Sequence, residues 1–187
     1  MKVFLKFILF VLFLGNIISC INRYEQKNNE QSLLKLIDKR LKMAPLVAKS
    51  KWNTKAPIDD PVREKSILDS VKVKSKKMGI DENLVIHFFQ AQFEAGKIVQ
   101  RQLHNQWKAQ NQSLFNTAPN LATDIRPVLD SLTTLLLLEL QKNENNSLDA
   151  QSIKGFRKEA RKIISSKFTN EVVETAIKPL EVYGASK

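Results

Sequence analysis

Cysteine is nearly missing from this chain. Cys20 stands alone among 187 residues, so no internal disulfide can form and the fold must hold by burial. Histidine is almost as scarce: His87 and His104 have no cysteine or close carboxylate at metal-ligand spacing, so no metal centre is expected. Five glycines make no phosphate-cradling loop, and there is neither a G-x-S-x-G elbow nor a Cys/His pair. No nucleophile, metal or cofactor motif is therefore present, and any chemistry must run on positioning and electrostatics. Acids are also few, 19 against 30 lysines and arginines, for a net charge of +11. That excess favours anionic partners without choosing among metabolite, nucleic acid and lipid.

The long apolar run that is present sits at the N-terminus. "MKVFLKFILFVLFLGNIISC" has a basic start, an apolar stretch from Phe7 to Leu14 and small or polar residues before Cys20, the layout of an export signal. Its end resembles a bacterial lipobox, in which Cys20 is lipidated and anchors the chain to a membrane; ordinary cleavage nearby is the other reading, and both stay open. Either way the protein is expected to be exported, to the periplasm or beyond. Cleavage before Cys20 removes Lys2 and Lys6 and lowers the net charge to +9. The remaining 168 residues are enough for one buried core. The expected organisation is a signal over 1–19, a polar tether over 20–31, a helical region over 32–110, a linker over 111–118 and a C-terminal helical region over 119–187 that packs on the first.

Sparse glycine and little β-branched alternation predict an all-α protein of about six helices. The first runs from Ser32 to Trp52, with a kink expected at Pro45, which lacks the N–H for its ladder bond. Asp60 and Pro61 are suited to the N-cap and first turn of a second helix, and Gly79 to its end. Asp81 caps a third, through about Ala109. The segment "IRPVLDSLTTLLLLELQK" is apolar nearly all round, which predicts burial on most sides. Asn143, Asn145 and Asn146 form a turn before two more amphipathic helices. The basic runs 72–77 and 157–162 read as solvated faces.

Polar residues interrupt two of the apolar faces. At about 100° per residue, Leu33, Leu36, Ile37, Leu41, Ala44, Val47 and Ala48 share an arc of the first helix, and Arg40 and Lys51 fall inside it, roughly 16 Å apart. Lys35, Lys42 and Lys49 fall opposite, on the solvent side. One cation on an apolar face usually snorkels out or meets an acid. Two on one core-facing line favour an anion site, because each unpaired buried ion costs several kcal/mol. On the third helix, Gln100 sits in the stripe of Val85, Phe89, Phe93, Leu103 and Trp107, and Gly96 one turn earlier removes side-chain bulk.

The series Arg40, Lys51, Asp60, Arg63, Gly96 and Gln100, with its flanking text, resembles the active-site series of the all-helical chorismate mutases, and in particular their secreted, gamma-type subclass. The resemblance covers residues 32–109 well and the C-terminal half in outline. It implies conversion of chorismate to prephenate by an intramolecular [3,3] rearrangement without cofactor. It also implies roles: Arg40 and Arg63 bind carboxylates, Lys51 a carboxylate and the ether oxygen, Gln100 the same ether oxygen. Asp60 holds a substrate hydroxyl or orients its neighbours. Gly96 departs from the family, whose members often carry Ser or Thr there. A second departure concerns the fourth-helix arginine of the subclass, which aligns with Leu135; Arg126 lies nine residues upstream.

The resemblance leaves two other functions open. An isochorismate-pyruvate lyase uses the same scaffold and cations, and a basic helical envelope lipoprotein would bind polyanions without catalysis. The expected partner is chorismate rather than nucleic acid, and the assembly state is open between monomer and homodimer.

Overall fold

Capping residues set the ends of the helices that carry the cleft. In the computed structural model, which describes the backbone of residues 2–143 and 150–185 and the side chains of residues 24–143 and 151–185, six α-helices follow one another without a strand among the described residues. They are α1 (Lys2–Thr54), α2 (Pro61–Met78), α3 (Glu82–Ala109), α4 (Arg126–Asn143), α5 (Ala150–Ile163) and α6 (Asn170–Ala185). Asp60 accepts a hydrogen bond from the Arg63 N–H at 3.1 Å and opens α2, with Pro61 in its first turn. Gly79 closes that helix at φ 71°, the left-handed conformation that glycine adopts without strain. Asp81 caps α3 through the Leu84 N–H at 2.8 Å, and the helix ends at Ala109.

The central element is α3, which packs most extensively on α6, then on α1 and then on α2. This position gives α3 two buried sides, so Phe88, Ala95 and Val99 are buried beside the expected Val85 and Phe89. Phe88 and Phe89 meet edge to face, with ring centroids 5.3 Å apart. The C-terminal helices complete this core. Phe156, Ala160 and Ile164 of the α5 region and Val172, Val173, Ala176 and Ile177 of α6 are buried in it.

Three expectations change. Residues 20–31, read as an irregular tether, are helical and continuous with α1. A polar stretch without apolar period still takes helix when it extends one already formed, since propagation avoids the cost of nucleation. Gln31 also reaches across to Glu159 of α5, at 2.9 Å. Second, α4 is buried on one face only. Leu132, Leu136, Leu137 and Leu140 point inward, while Val128, Leu135 and Leu138 are exposed. Third, the segment before α4 contains a π-helical turn, Leu121–Ile125, that no sequence pattern announced. Asn120 caps it by accepting from the N–H groups of Ala122 and Thr123. Asn145, Asn146 and the side chains of the N-terminal segment, Cys20 included, lie outside the described residues.

Candidate active site

The six residues singled out in the sequence line one cleft, of about 800 Å³ counting its open mouth. Arg40 and Lys51 reach it from α1, Asp60 from the loop before α2, Arg63 from the first turn of α2, and Gly96 and Gln100 from α3. The inward line that places Arg40 and Lys51 among apolar neighbours is real: they are 8 % and 6 % exposed, and Gln100 is 7 % exposed.

Neither buried cation has a carboxylate within ion-pair distance among the described residues. The Arg40 guanidinium donates only long bonds, 3.4 Å each, to the Leu129 carbonyl and the Thr133 hydroxyl, and stands over the Phe93 ring. Burial lowers its pKa to about 10, against the opposing pull of Asp130, so it is fully charged at neutral pH. Lys51 donates to the Ile58 carbonyl at 2.6 Å, a bond that pins its tip against the loop of residues 55–60. Burial likewise pushes its ammonium below the ordinary lysine range, partly offset by Asp60, Glu64 and Asp59 and reinforced by Arg126. Two cations held out of water with only neutral oxygens as partners are costly for the fold and ready for an anion.

Gln100 is poised in a similar way. Its amide nitrogen donates to the Gly96 carbonyl of its own helix at 3.2 Å, and its oxygen is buried without a partner. A Cβ built on Gly96 would meet nothing closer than the Ala44 Cβ at 3.9 Å, so the glycine leaves room beside the amide. The outer cations are already engaged. Arg63 grips both oxygens of Asp130 at 2.7 and 2.9 Å, and Asp60 spends one oxygen on the α2 cap and the other on Arg126 at 3.4 Å.

Arg126 lines the cleft, nine residues before the position at which the sequence alignment put the subclass's fourth-helix arginine. Leu135, its aligned counterpart, is 45 % exposed and does not line the cleft. The π-helical turn holds one more residue per turn than an α-helix, and its last bond, Arg126 N–H to the Leu121 carbonyl, delivers both residues to the cleft mouth. Glu64, Gln92, Lys97 and Asp130 also line it and were not singled out from sequence. Gln92 was legible, because it continues the line of Gly96 and Gln100 by one further turn. Its amide nitrogen donates to the Ala176 carbonyl of α6 at 2.8 Å, leaving its oxygen buried and unpartnered. Lys97 and Glu64 carry no such signal. His104 lies apart from the cleft, bonded to the Ala48 carbonyl at 2.9 Å and packed among Trp52 and Trp107.

Comparison with known proteins gives the family and the fold. Residues 22–101 match the family model for chorismate mutase type II. A chorismate mutase of Methanocaldococcus jannaschii is 40 % identical over 73 residues, 39 % of this chain and 74 % of that protein. A secreted chorismate mutase of Mycolicibacterium smegmatis is 30 % identical over 113 residues, 59 % of this chain and 62 % of that one. Among solved structures, the chorismate mutase from Burkholderia thailandensis superposes with a TM-score of 0.74 at 28 % identity, covering 81 % of this chain and 98 % of its own. The secreted chorismate mutase from Yersinia pestis shares the fold at a TM-score of 0.64 and 21 % identity, over 79 % of this chain and 93 % of its own.

Proposed function

Because the chain belongs to the chorismate mutase family, we propose that its cleft rearranges chorismate to prephenate. The observation that carries this reading is the pair Arg40 and Lys51, buried in one cleft with no carboxylate within ion-pair distance of either among the described residues. Chorismate is a dicarboxylate with an ether oxygen, and its rearrangement breaks a C–O bond as a C–C bond forms within one molecule. No proton, electron or group leaves or enters, so the site needs only to hold a compact conformer and to stabilise charge where it grows.

In this reading Arg40 binds one carboxylate and the cations at the mouth bind the other. Arg63 and Arg126 are the candidates there, and Arg126 takes the place that Leu135 left empty. Each arginine exchanges part of its grip on Asp130 or Asp60 for the substrate, a fork-to-carboxylate bond of the same kind. Lys51 and Gln100 donate to the ether oxygen from α1 and α3, with Gln100 turning its amide away from the Gly96 carbonyl. These bonds strengthen as negative charge develops, which is the condition for catalysis rather than mere binding. Asp60 acts as an orienting residue: its cap on α2 sets Arg63 and its other oxygen holds Arg126. The hydroxyl is the one donor on chorismate, and Glu64 and Gln92 line the cleft as acceptors that could take it.

Export completes the proposal. It is supported by the N-terminal apolar segment and by the secreted character of the Mycolicibacterium smegmatis relative, and a lipidated Cys20 would tether the enzyme to a membrane. The experiment supplies the purified chain with chorismate and isochorismate in separate reactions, following prephenate and pyruvate. Prephenate from chorismate supports the reading; pyruvate from isochorismate as the faster reaction replaces it with the lyase.

A further inference from the structure

Surface cations are treated unequally in this molecule. On α2 and α3, Lys65 pairs with Asp69, Lys72 and Lys76 share Glu82, and Arg101 bonds Asp59. The side on which α1 lies between α4 and α5 is different. There Lys35, Lys39, Lys42 and Leu46 recur every three or four residues and are exposed along one line of α1. That line runs between Arg40, which reaches α4, and Gln31 and Asp38, which reach the α5 region. Beside it α5 exposes Lys154, Lys158, Arg161 and Lys162, and the only acid of that helix is Glu159.

Little on this face offsets the charge. Lys42 pairs with Asp38 and Lys162 with Glu159, but Lys35, Lys39, Lys154, Lys158 and Arg161 have no carboxylate within ion-pair distance among the described residues. Apolar side chains stand next to these cations. Leu46 is on the lysine line itself, and α4, on the other flank of α1, exposes Val128, Leu135 and Leu138 at helical spacing.

Three occupants of such a face can be compared. A second copy fits poorly, because pairing the face with itself sets lysine against lysine. Nucleic acid would be drawn by charge alone and would leave the leucines in water. An anionic bilayer uses both parts: its phosphates meet the ammonium groups, and the apolar side chains enter the boundary between headgroups and acyl chains. The chain also brings its own membrane-seeking element, since α1 begins with the apolar run from Phe7 to Leu14. One apolar or acyl anchor alone holds weakly, and a basic patch beside it supplies the second contribution.

We propose that the face formed by α1 and α5, with the exposed edge of α4, docks on an anionic phospholipid surface. The inference is independent of the reading of the cleft, because it concerns where the molecule sits and not what it converts.

The test measures, by flotation, partition of the purified full chain onto vesicles of phosphatidylcholine alone and of phosphatidylcholine with phosphatidylglycerol. The apolar run favours both, so the readout is the ratio of the two partition coefficients. That ratio is expected to exceed about a hundred at low salt and to fall at least about tenfold by about 0.5 M salt. Lys35→Gln/Lys39→Gln and Lys158→Gln/Arg161→Gln should each lower it about twentyfold. Lys74→Gln/Lys77→Gln removes the same charge from α2, away from the face, and should stay within about twofold of the parent. Leu135→Ser/Leu138→Ser should weaken partition onto the mixed vesicles about tenfold. All these side chains are exposed, so the urea midpoints should match the parent and keep folding out of the comparison. Equal partition onto the two vesicle types would leave only the apolar run, and a loss with the α2 pair as large as with the face would leave only net charge; either result overturns the proposal. Tighter binding to a DNA duplex than to mixed vesicles at equal phosphate would assign the face to nucleic acid and overturn it as well. So would a dimer that Leu135→Ser/Leu138→Ser dissociates without loss of vesicle binding, which would give the apolar edge to a second copy.

Discussion

Two sets of buried charge in this molecule are handled in opposite ways. Asp38 and Glu181 are closed: Asp38 takes the Ser165 N–H at 2.9 Å and the Lys42 ammonium at 2.6 Å, and Glu181 takes both arms of Arg157 at 2.6 and 2.8 Å. These bonds join α1 and α6 to the α5 region, and every oxygen is used. Arg40 and Lys51, equally buried, are open, because their partners are neutral carbonyls and a hydroxyl. Asp38 and Arg40 are only two residues apart on α1, so helix and depth are shared. What differs is whether the protein itself supplies the counter-charge. A charge closed within the fold serves the fold, whereas one left open marks where the fold has given up stability for a ligand.

Substitutions that touch one set and not the other sharpen this contrast. The largest effect is expected for Lys51→Ala, which removes a donor to the developing charge and should lower kcat/KM for chorismate about a thousandfold, read from initial rates. Arg40→Met should lower kcat/KM about a hundredfold and yet raise stability by about 1–2 kcal/mol in urea unfolding, since an unpaired buried cation gives way to an apolar chain. Asp38→Ala should do the reverse: activity within about twofold of the parent and stability lower by about 1–2 kcal/mol, because the Ser165 N–H loses its acceptor. If both variants moved stability in the same direction, the distinction between open and closed charges would break.

Gln100→Glu gives a smaller and pH-dependent loss. An amide donates at any pH, while a glutamate donates only when protonated, so the variant's activity should fall as pH rises through the pKa of the new carboxyl. Near pH 8 it should be about tenfold below the parent, and it should regain ground in acid. A variant as active as the parent near pH 8 would remove Gln100 from the ether oxygen. The alkaline limb of the parent belongs to Lys51: its lowered pKa places the loss of activity below the pH at which an ordinary lysine discharges. The smallest effect is expected for Gly96→Ser. Its Cβ finds room beside Ala44, and the added hydroxyl should lower KM about two- to threefold.

The sequence carried the open set more clearly than the rest of the cleft, for a physical reason. Arg40, Lys51 and Gln100 break an apolar period within regular helices, and a regular helix converts spacing into direction. Asp60 and Gly79 were legible for a related reason, since caps and turn glycines act locally, whereas Arg63 came from the family resemblance alone. Arg126 was not, because it follows an irregular π-helical turn, where no regular period converts spacing into direction, and the alignment had put Leu135 at the fourth-helix position. The exposed leucines of α4 misled in the same region, as composition alone does not say how many neighbours a helix has. Lys97 and Glu64 looked like two of many surface charges, and only the packing of α2 on α3 brings them together in the cleft wall. The helical start of α1 was missed because continuity with a helix, rather than any pattern of its own, extends it.

The most direct test of the account is the initial rate of prephenate formation from chorismate at neutral pH, measured side by side for the purified parent and Lys51→Ala. The account predicts cofactor-free conversion by the parent and a folded variant about a thousandfold slower. A folded parent that leaves chorismate unchanged, or a variant as fast as the parent, would contradict it.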